Sequence, residues 1–194
     1  MLGAETEGWL GYAVEQAIAG HLPRSKEIVT VLTRMQVNPD DPALRAADKP
    51  VGQWFDQEQA MQLQAERGWQ FLRRGDRYRR VVPSPTPIRC LQIHSIRTLL
   101  AAGSVVICAG GGGIPVVAHE AGQFTGLEAV IDKDLASALI AEQLGAALLV
   151  LATDVDGVYP HWPASDTSPQ ADPPNQPDGM QIQNHKPLRQ ATPE

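Results

Sequence analysis

Apolar positions along this chain fall into two rhythms. Over residues 3–20, Ala4, Trp9, Leu10, Ala13, Val14, Ala17 and Ile18 recur at helical spacing and Gly20 marks a stop, so the pattern predicts a helix. Ile28–Val29–Thr30–Val31–Leu32–Thr33 is a β-branched run of the kind that parallel sheets bury. Asn38–Pro39–Asp40–Asp41–Pro42 breaks any continuation, and residues 35–54 show no clear period. A polar helix is expected after Phe55 or Asp56 as its cap, ending by Gly68. Trp69–Leu72 and Tyr78–Val82 flank Arg74–Gly75–Asp76–Arg77, a hairpin signal. Pro83–Ser84–Pro85–Thr86–Pro87 reads as a stiff connector. Residues 88–102 predict a helix with Ile88, Leu91, Ile96, Leu99 and Leu100 on one side and Gly103 as its stop.

A strand over 105–109, a glycine-rich loop, a helix over 134–144 and a strand at Leu148–Ala152 then follow. That βαβ order implies a mostly parallel sheet with helices on both faces, the α/β class. Such sheets bind ligands at the carboxyl ends of their strands. The glycine run and Thr153–Asp154 both lie at such ends. Residues 35–82 read as a small excursion from the main sheet. Beyond Tyr159 the composition shifts: eight of the 16 prolines fall between Pro160 and Pro193, so residues 160–185 are expected to form a flexible insertion. Ala191–Thr192–Pro193–Glu194 has the look of another helix start, and the first helix begins directly after Met1. The expectation is a partial domain over 1–194, cut at both ends.

Charge and cysteine usage narrow the function classes. A net charge of −6 argues against nucleic-acid binding, and Arg73, Arg74, Arg77, Arg79 and Arg80 are read as the solvated face of the hairpin. No apolar run is long enough for a membrane span, and the two acids near Met1 do not suit a signal peptide, so a cytoplasmic protein is expected. Cys90 and Cys108 form neither a metal spacing nor a redox motif and are expected to be reduced and structural. The five histidines show no ligand spacing, and no metal-binding residues are identified.

Four stretches can carry chemistry. Gly110, Gly111, Gly112 and Gly113 follow a strand and remove side chains from the path of an anion approaching backbone N–H groups. The run is neither a Walker loop nor GxGxxG, and a tight strand-to-loop turn is the competing reading. In Asp132–Lys133–Asp134, the lysine can neutralise phosphoryl oxygens, Asp132 can hold that lysine or orient backbone donors, and Asp134 suits an N-cap. A solvated charge cluster is the competing reading. Thr153–Asp154–Val155–Asp156–Gly157–Val158–Tyr159 can serve Mg²⁺ or ribose hydroxyls, or be an Asx turn. Lys49 is either a lid lysine or one exposed lysine among many.

These motifs together resemble carbamate kinase of the amino-acid-kinase superfamily. The likeness is carried by Ala109-Gly-Gly-Gly-Gly-Ile-Pro-Val116, Gly126-Leu-Glu-Ala-Val-Ile-Asp-Lys-Asp-Leu-Ala136 and Thr153-Asp-Val-Asp-Gly-Val-Tyr159. Ala4-Glu-Thr-Glu-Gly8, Lys49-Pro-Val-Gly52, Arg79-Arg-Val-Val-Pro-Ser-Pro85 and Lys186–Glu194 add to it in order. The resemblance implies a three-layer αβα sandwich, here incomplete, with a protruding α+β subdomain over about 35–82. It implies reversible phosphoryl transfer between ATP and carbamate, giving ADP and carbamoyl phosphate, with Mg²⁺, in a cytoplasmic homodimer. It assigns Lys133 to the transferring phosphate and Asp132 to the organisation of the active-site lysines. Lys49 is assigned to closure over the nucleotide, Gly110–Gly113 to the loop near carbamate, and Thr153, Asp154 and Tyr159 to the nucleotide side.

The family pattern also has a Gly-Gly-Asn-Ala strand end, a His-Gly-Asn-Gly-Pro-Gln loop and a Met-Gly-Pro-Lys segment, none of which occurs here. Phosphoryl transfer depends on positioned charge, so two expectations stand together. One is a carbamate kinase-like enzyme. The other is a truncated, non-catalytic remnant that at most binds nucleotide or pairs with an intact subunit.

Overall fold

A computed structural model describes residues 2–153. The chain divides into two units, Met1–Leu149 and Val150–Glu194, and all elements named below lie in the first. In order they are α1 (Leu2–Ala19), β1 (Ile28–Val31), β2 (Arg34–Val37), β3 (Lys49–Phe55), α2 (Gln57–Arg67), β4 (Gln70–Arg74) and β5 (Arg77–Val82). There follow β6 (Pro87–Cys90), α3 (Ile93–Ala101), β7 (Val105–Cys108), β8 (Ile114–Ala118), β9 (Phe124–Gly126) and α4 (Lys133–Leu144). Short 3₁₀ turns occupy Pro42–Arg45, Gly110–Gly112 and Glu120–Gly122.

The strands form three sheets. β1 and β7 pair in parallel, with Val31 opposite Cys108. The second sheet is mixed, in the order β6-β2-β8-β9: β2 runs parallel to β8 and antiparallel to β6, and β9 returns antiparallel to β8. The third is antiparallel, in the order β3-β5-β4. α2 lies against it, capped by Asp56 in a reciprocal box with Gln59 and closed by Gly68 at φ 66°.

Side-chain alternation gives β1 and β7 two different faces. Thr30 faces α1, where its hydroxyl reaches Glu15 at 3.3 Å and a Cβ on Gly11 would overlap its methyl group. Val31, Val106 and Cys108 face the other way and pack on the main core. That core gathers Met35, Val37, Cys90, Val117 and Ile131 from the mixed sheet and its flanks, and Ile93, Ile96, Ala136 and Ile140 from α3 and α4. Helix, sheet and helix therefore stack in layers, an α/β architecture.

Four expectations change. Residues 35–54 are not irregular but hold β2, a 3₁₀ turn and β3. The helix expected over 88–102 is shorter, because Pro87–Cys90 is recruited as β6 against β2, where Cys90 is fully buried. A free sheet edge overrides helical spacing here. No ladder among the described residues includes Leu148–Ala152, and Leu148 and Val150 are 78% and 73% exposed. An apolar run becomes a strand only where a neighbouring edge accepts its N–H and C=O groups.

The fourth change is the face that α1 buries. Of the periodic set, Ala4, Leu10 and Ile18 do turn inward, but Ala13, Val14 and Ala17 are exposed and Trp9 is 68% exposed. The inward stripe is completed by Glu7, Gly8, Gly11 and Glu15. Small residues let the helix backbone come close to β1, and that closeness brings a carboxylate inside.

Candidate functional site

The glycine run leaves β7 through Ala109, which is itself left-handed at φ 52°. Gly112 and Gly113 follow at φ 102° and φ 84°. These conformations suit glycine, and so does the space. A Cβ on Gly112 would overlap the Ile131 carbonyl, and one on Gly113 would lie 2.6 Å from Met35 Cγ and 3.0 Å from the Thr33 carbonyl. The loop is thus wedged between β2 and the lead into α4. Several of its amides are already used. Ala109 donates to Thr33 Oγ1 at 2.9 Å, Gly112 to the Ala109 carbonyl at 2.9 Å and Ile114 to the Thr33 carbonyl at 2.8 Å. The loop is as much a packed turn as an anion cradle.

Behind it lies a group that sequence reasoning did not single out. Glu7 is 1% exposed, and both its carboxylate oxygens accept from the Thr33 backbone N–H at 3.0 Å. Burial pushes its pKa up, and contacts with Thr33 and with the Ala109 and Gly110 amides offset this only in part. Thr33, fully buried, ties the set together by donating to the Val31 carbonyl and accepting from Ala109. The signal was present as an acidic residue on the small-residue stripe of Ala4, Gly8 and Gly11.

The charged stretch resolves in a specific way. Asp132, not Asp134, is the N-cap of α4: its Oδ1 accepts from the Asp134 and Leu135 amides at 2.9 and 3.3 Å. Its Oδ2 accepts from Lys49 Nζ at 3.0 Å, across 83 residues of sequence. So Asp132 holds Lys49, while Lys133 pairs with Asp134 at 3.4 Å. Burial raises the Asp132 pKa, but the hydrogen bond from Lys49, the two capping amides and the lysine charge outweigh it and hold the carboxyl below the usual range. Ala43, Asp48, Lys49, Ser84, Asp132 and Leu135 line an open cleft of about 550 Å³ here.

Lys49 and Asp132 are therefore brought together, and Ile131 links the Asp132 cap to the glycine loop, whereas the Lys133 side chain is 72% exposed and pairs with Asp134. Thr153 is exposed and belongs to the second unit. Asp154 and Tyr159 lie outside the described residues. The arginines of the hairpin are not a plain solvated face. Arg79 lies over Trp54 at 5.5 Å, Arg73 over Tyr78 at 5.9 Å and Arg80 over Trp69 at 3.9 Å.

Among the described residues, no three His, Cys, Asp or Glu side chains gather to hold a metal ion. Asp132 offers one oxygen to Lys49 and the other to the helix cap. Among the same residues no helix is long and apolar enough to cross a membrane.

The described residues thus form a layered α/β fold in which a capping carboxylate holds a lysine from a distant strand. The amino acid kinase family model matches residues 30–171, and the chain belongs to that family. Among curated proteins it is similar to carbamate kinases, with 46% identity to that of Haemophilus influenzae over 84% of this chain and 52% of the relative. Identity to the carbamate kinase of Escherichia coli strain K12 is 47%, covering 84% of this chain and 53% of that one. Among solved structures, carbamate kinase from Giardia lamblia bound to AMP-PNP matches at a TM-score of 0.67 and 34% identity, over 81% of this chain and 50% of that chain. An Aeropyrum pernix K1 protein matches at a TM-score of 0.73 and 39% identity, over 81% and 52%. The chain spans about half the length of the curated relatives it matches.

Proposed function

We propose that this chain is carbamate kinase-like and handles phosphoryl transfer between ATP and carbamate, giving ADP and carbamoyl phosphate. The observation that carries the reading is the Lys49–Asp132 pair at 3.0 Å beside Lys133 at the start of α4. Transfer of a phosphoryl group asks mainly for positioned positive charge around its oxygens. Lys49 and Lys133 supply two ammonium groups, and the helix N-terminus adds a favourable dipole. Asp132 holds Lys49 in place until a phosphate competes for it. Gly110–Gly113 form the wall on the carbamate side, and Thr153, Asp154 and Tyr159 serve the nucleotide. Mg²⁺ would be held chiefly by the nucleotide phosphates, where it would offset their charge. A cytoplasmic location and a homodimer complete the proposal.

A second reading is a nucleotide-binding chain without turnover. It is favoured by the loop amides of Ala109, Gly112 and Ile114, which are already spent inside the protein. Calorimetric titration with AMP-PNP and a coupled ADP assay with carbamate separate the two. The first reading expects binding and turnover, both reduced at least about tenfold by Lys49→Ala and Lys133→Ala. Binding without turnover leaves the second reading, and no binding removes both.

A further inference from the structure

Lys49 stands on β3, at the rim of the antiparallel sheet, and Asp132 at the start of α4. Something must set one against the other, because both are half exposed and an exposed ion pair is weak. The register shows what does. Lys49 lies opposite Val82 and Val51 opposite Arg80, so Arg80 occupies the strand beside Lys49. The Arg80 side chain is only 11% exposed, and its guanidinium lies on the Trp69 ring at 3.9 Å. From there it pairs with the Glu128 carboxylate, four residues before Asp132. Midway, the Val130 amide donates to the Pro83 carbonyl at 3.0 Å. Three ties in sequence order, at Glu128, Val130 and Asp132, thus fasten one segment to the β3–β5 sheet.

We infer that Arg80 and Glu128 are positioning residues that hold Lys49 and Asp132 in register. A buried guanidinium is a costly anchor, and the Arg80 Nε has no hydrogen-bond partner. What arginine offers in return is a planar, directional head that can stack on a ring and meet a carboxylate at once. Lysine cannot do both. The arrangement makes the position of the lid lysine depend on a contact outside the cleft, on the far side of Pro83. Its meaning for catalysis rests on the proposed function, but the geometric role does not.

Two variants test it in the full chain: Glu128→Gln, which changes a side chain 74% exposed, and Arg80→Lys, which keeps the charge and loses the plane. Two readouts report the pair directly. One is the rate at which Lys49 is acylated, followed by mass spectrometry, and the other is the Asp132 carboxyl titration by ¹³C NMR. The expected result is roughly 3- to 5-fold faster Lys49 acylation and an Asp132 titration moved back toward the ordinary range, with the thermal midpoint of Glu128→Gln unchanged. Unchanged Lys49 and Asp132 readouts in both variants would overturn the positioning role. AMP-PNP titration of the unsubstituted protein, run alongside, judges the kinase reading separately.

Discussion

Glu7 and Thr33, 26 residues apart, meet where no water reaches: the Thr33 backbone N–H lies 3.0 Å from both oxygens of the Glu7 carboxylate. This contact joins α1 to the turn between β1 and β2 and, through the Thr33 hydroxyl, to the glycine loop. A packed helix, a sheet end and a candidate site thus share one buried carboxylate.

Removing that carboxylate should show in stability. Glu7→Ala leaves the Thr33 N–H without an acceptor and should cost about 1–3 kcal/mol. The pH dependence has a definite sign. Burial raises the Glu7 pKa above its ordinary 4.5, so the folded chain holds this proton more tightly than the unfolded chain does. The stabilisation is complete below the unfolded value and is lost as pH rises through the folded one. Urea midpoints of Glu7→Gln and unsubstituted protein, taken from about pH 4 to pH 8, should therefore differ by an amount that changes with pH. A constant difference would contradict the assignment.

Asp132 does two jobs, and two substitutions separate them. Asparagine is as good a helix cap as aspartate, so Asp132→Asn should cost only a few tenths of a kcal/mol, whereas Asp132→Ala should cost about 1 kcal/mol. Both remove the charge that holds Lys49. Both should also flatten the acid limb of the stability profile. The Asp132 pKa is held below 3.8, so its contribution is present above that value and is lost as pH falls through the lower, folded one. Thermal midpoints from about pH 2 to pH 7 check both points. Equal losses for the two variants would show that the cap is not made.

What the chain declared in advance follows a physical line. Local signals translated well: of the two expected caps Asp56 is the one used, Gly68 is the stop, and Gly75–Asp76 a hairpin turn, because each depends on a few neighbouring residues. The α/β class followed from alternation of element types. Contacts between distant segments were hidden. Nothing in the spacing of Pro87–Cys90 tells that β2 would capture it, and nothing around Asp132 says that its partner is Lys49 and not Lys133. Glu7 was concealed for a further reason. An acidic residue is normally counted outward, and only the small residues Ala4, Gly8 and Gly11 beside it show that this helix presses that side inward.

Cys108 should be a poor nucleophile. Burial, with smaller contributions from Cys90 and Glu7, pushes its pKa up to about 11 from an ordinary 9.0. The thiolate is the reactive form, so at pH 8 the folded protein should alkylate at Cys108 on the order of 100-fold more slowly than the urea-unfolded chain. Iodoacetamide labelling followed by peptide mass spectrometry reads this ratio. Rates within a few-fold of each other would mean that the β7 end is open to solvent.

The glycine loop offers the sharpest contrast, because neighbouring positions should respond differently to the same added methyl. At Gly111 nothing lies within 4 Å of an added Cβ, so Gly111→Ala meets only the left-handed backbone at φ 71° and should cost about 1–2 kcal/mol. At Gly112 the methyl runs into the Ile131 carbonyl, which is backbone and cannot rotate away. At Gly113 it meets Met35, a flexible side chain, and also the Thr33 carbonyl. The order of damage should be Gly112→Ala, then Gly113→Ala, then Gly111→Ala, the first losing more than about 3 kcal/mol. Because Ile131 precedes the Asp132 cap, Gly112→Ala should also disturb the hold on Lys49, read as faster acylation of that lysine. Urea unfolding of the three variants measures the order. If Gly111→Ala proved the most harmful, the loop would be held by something other than its packing against Ile131 and Met35.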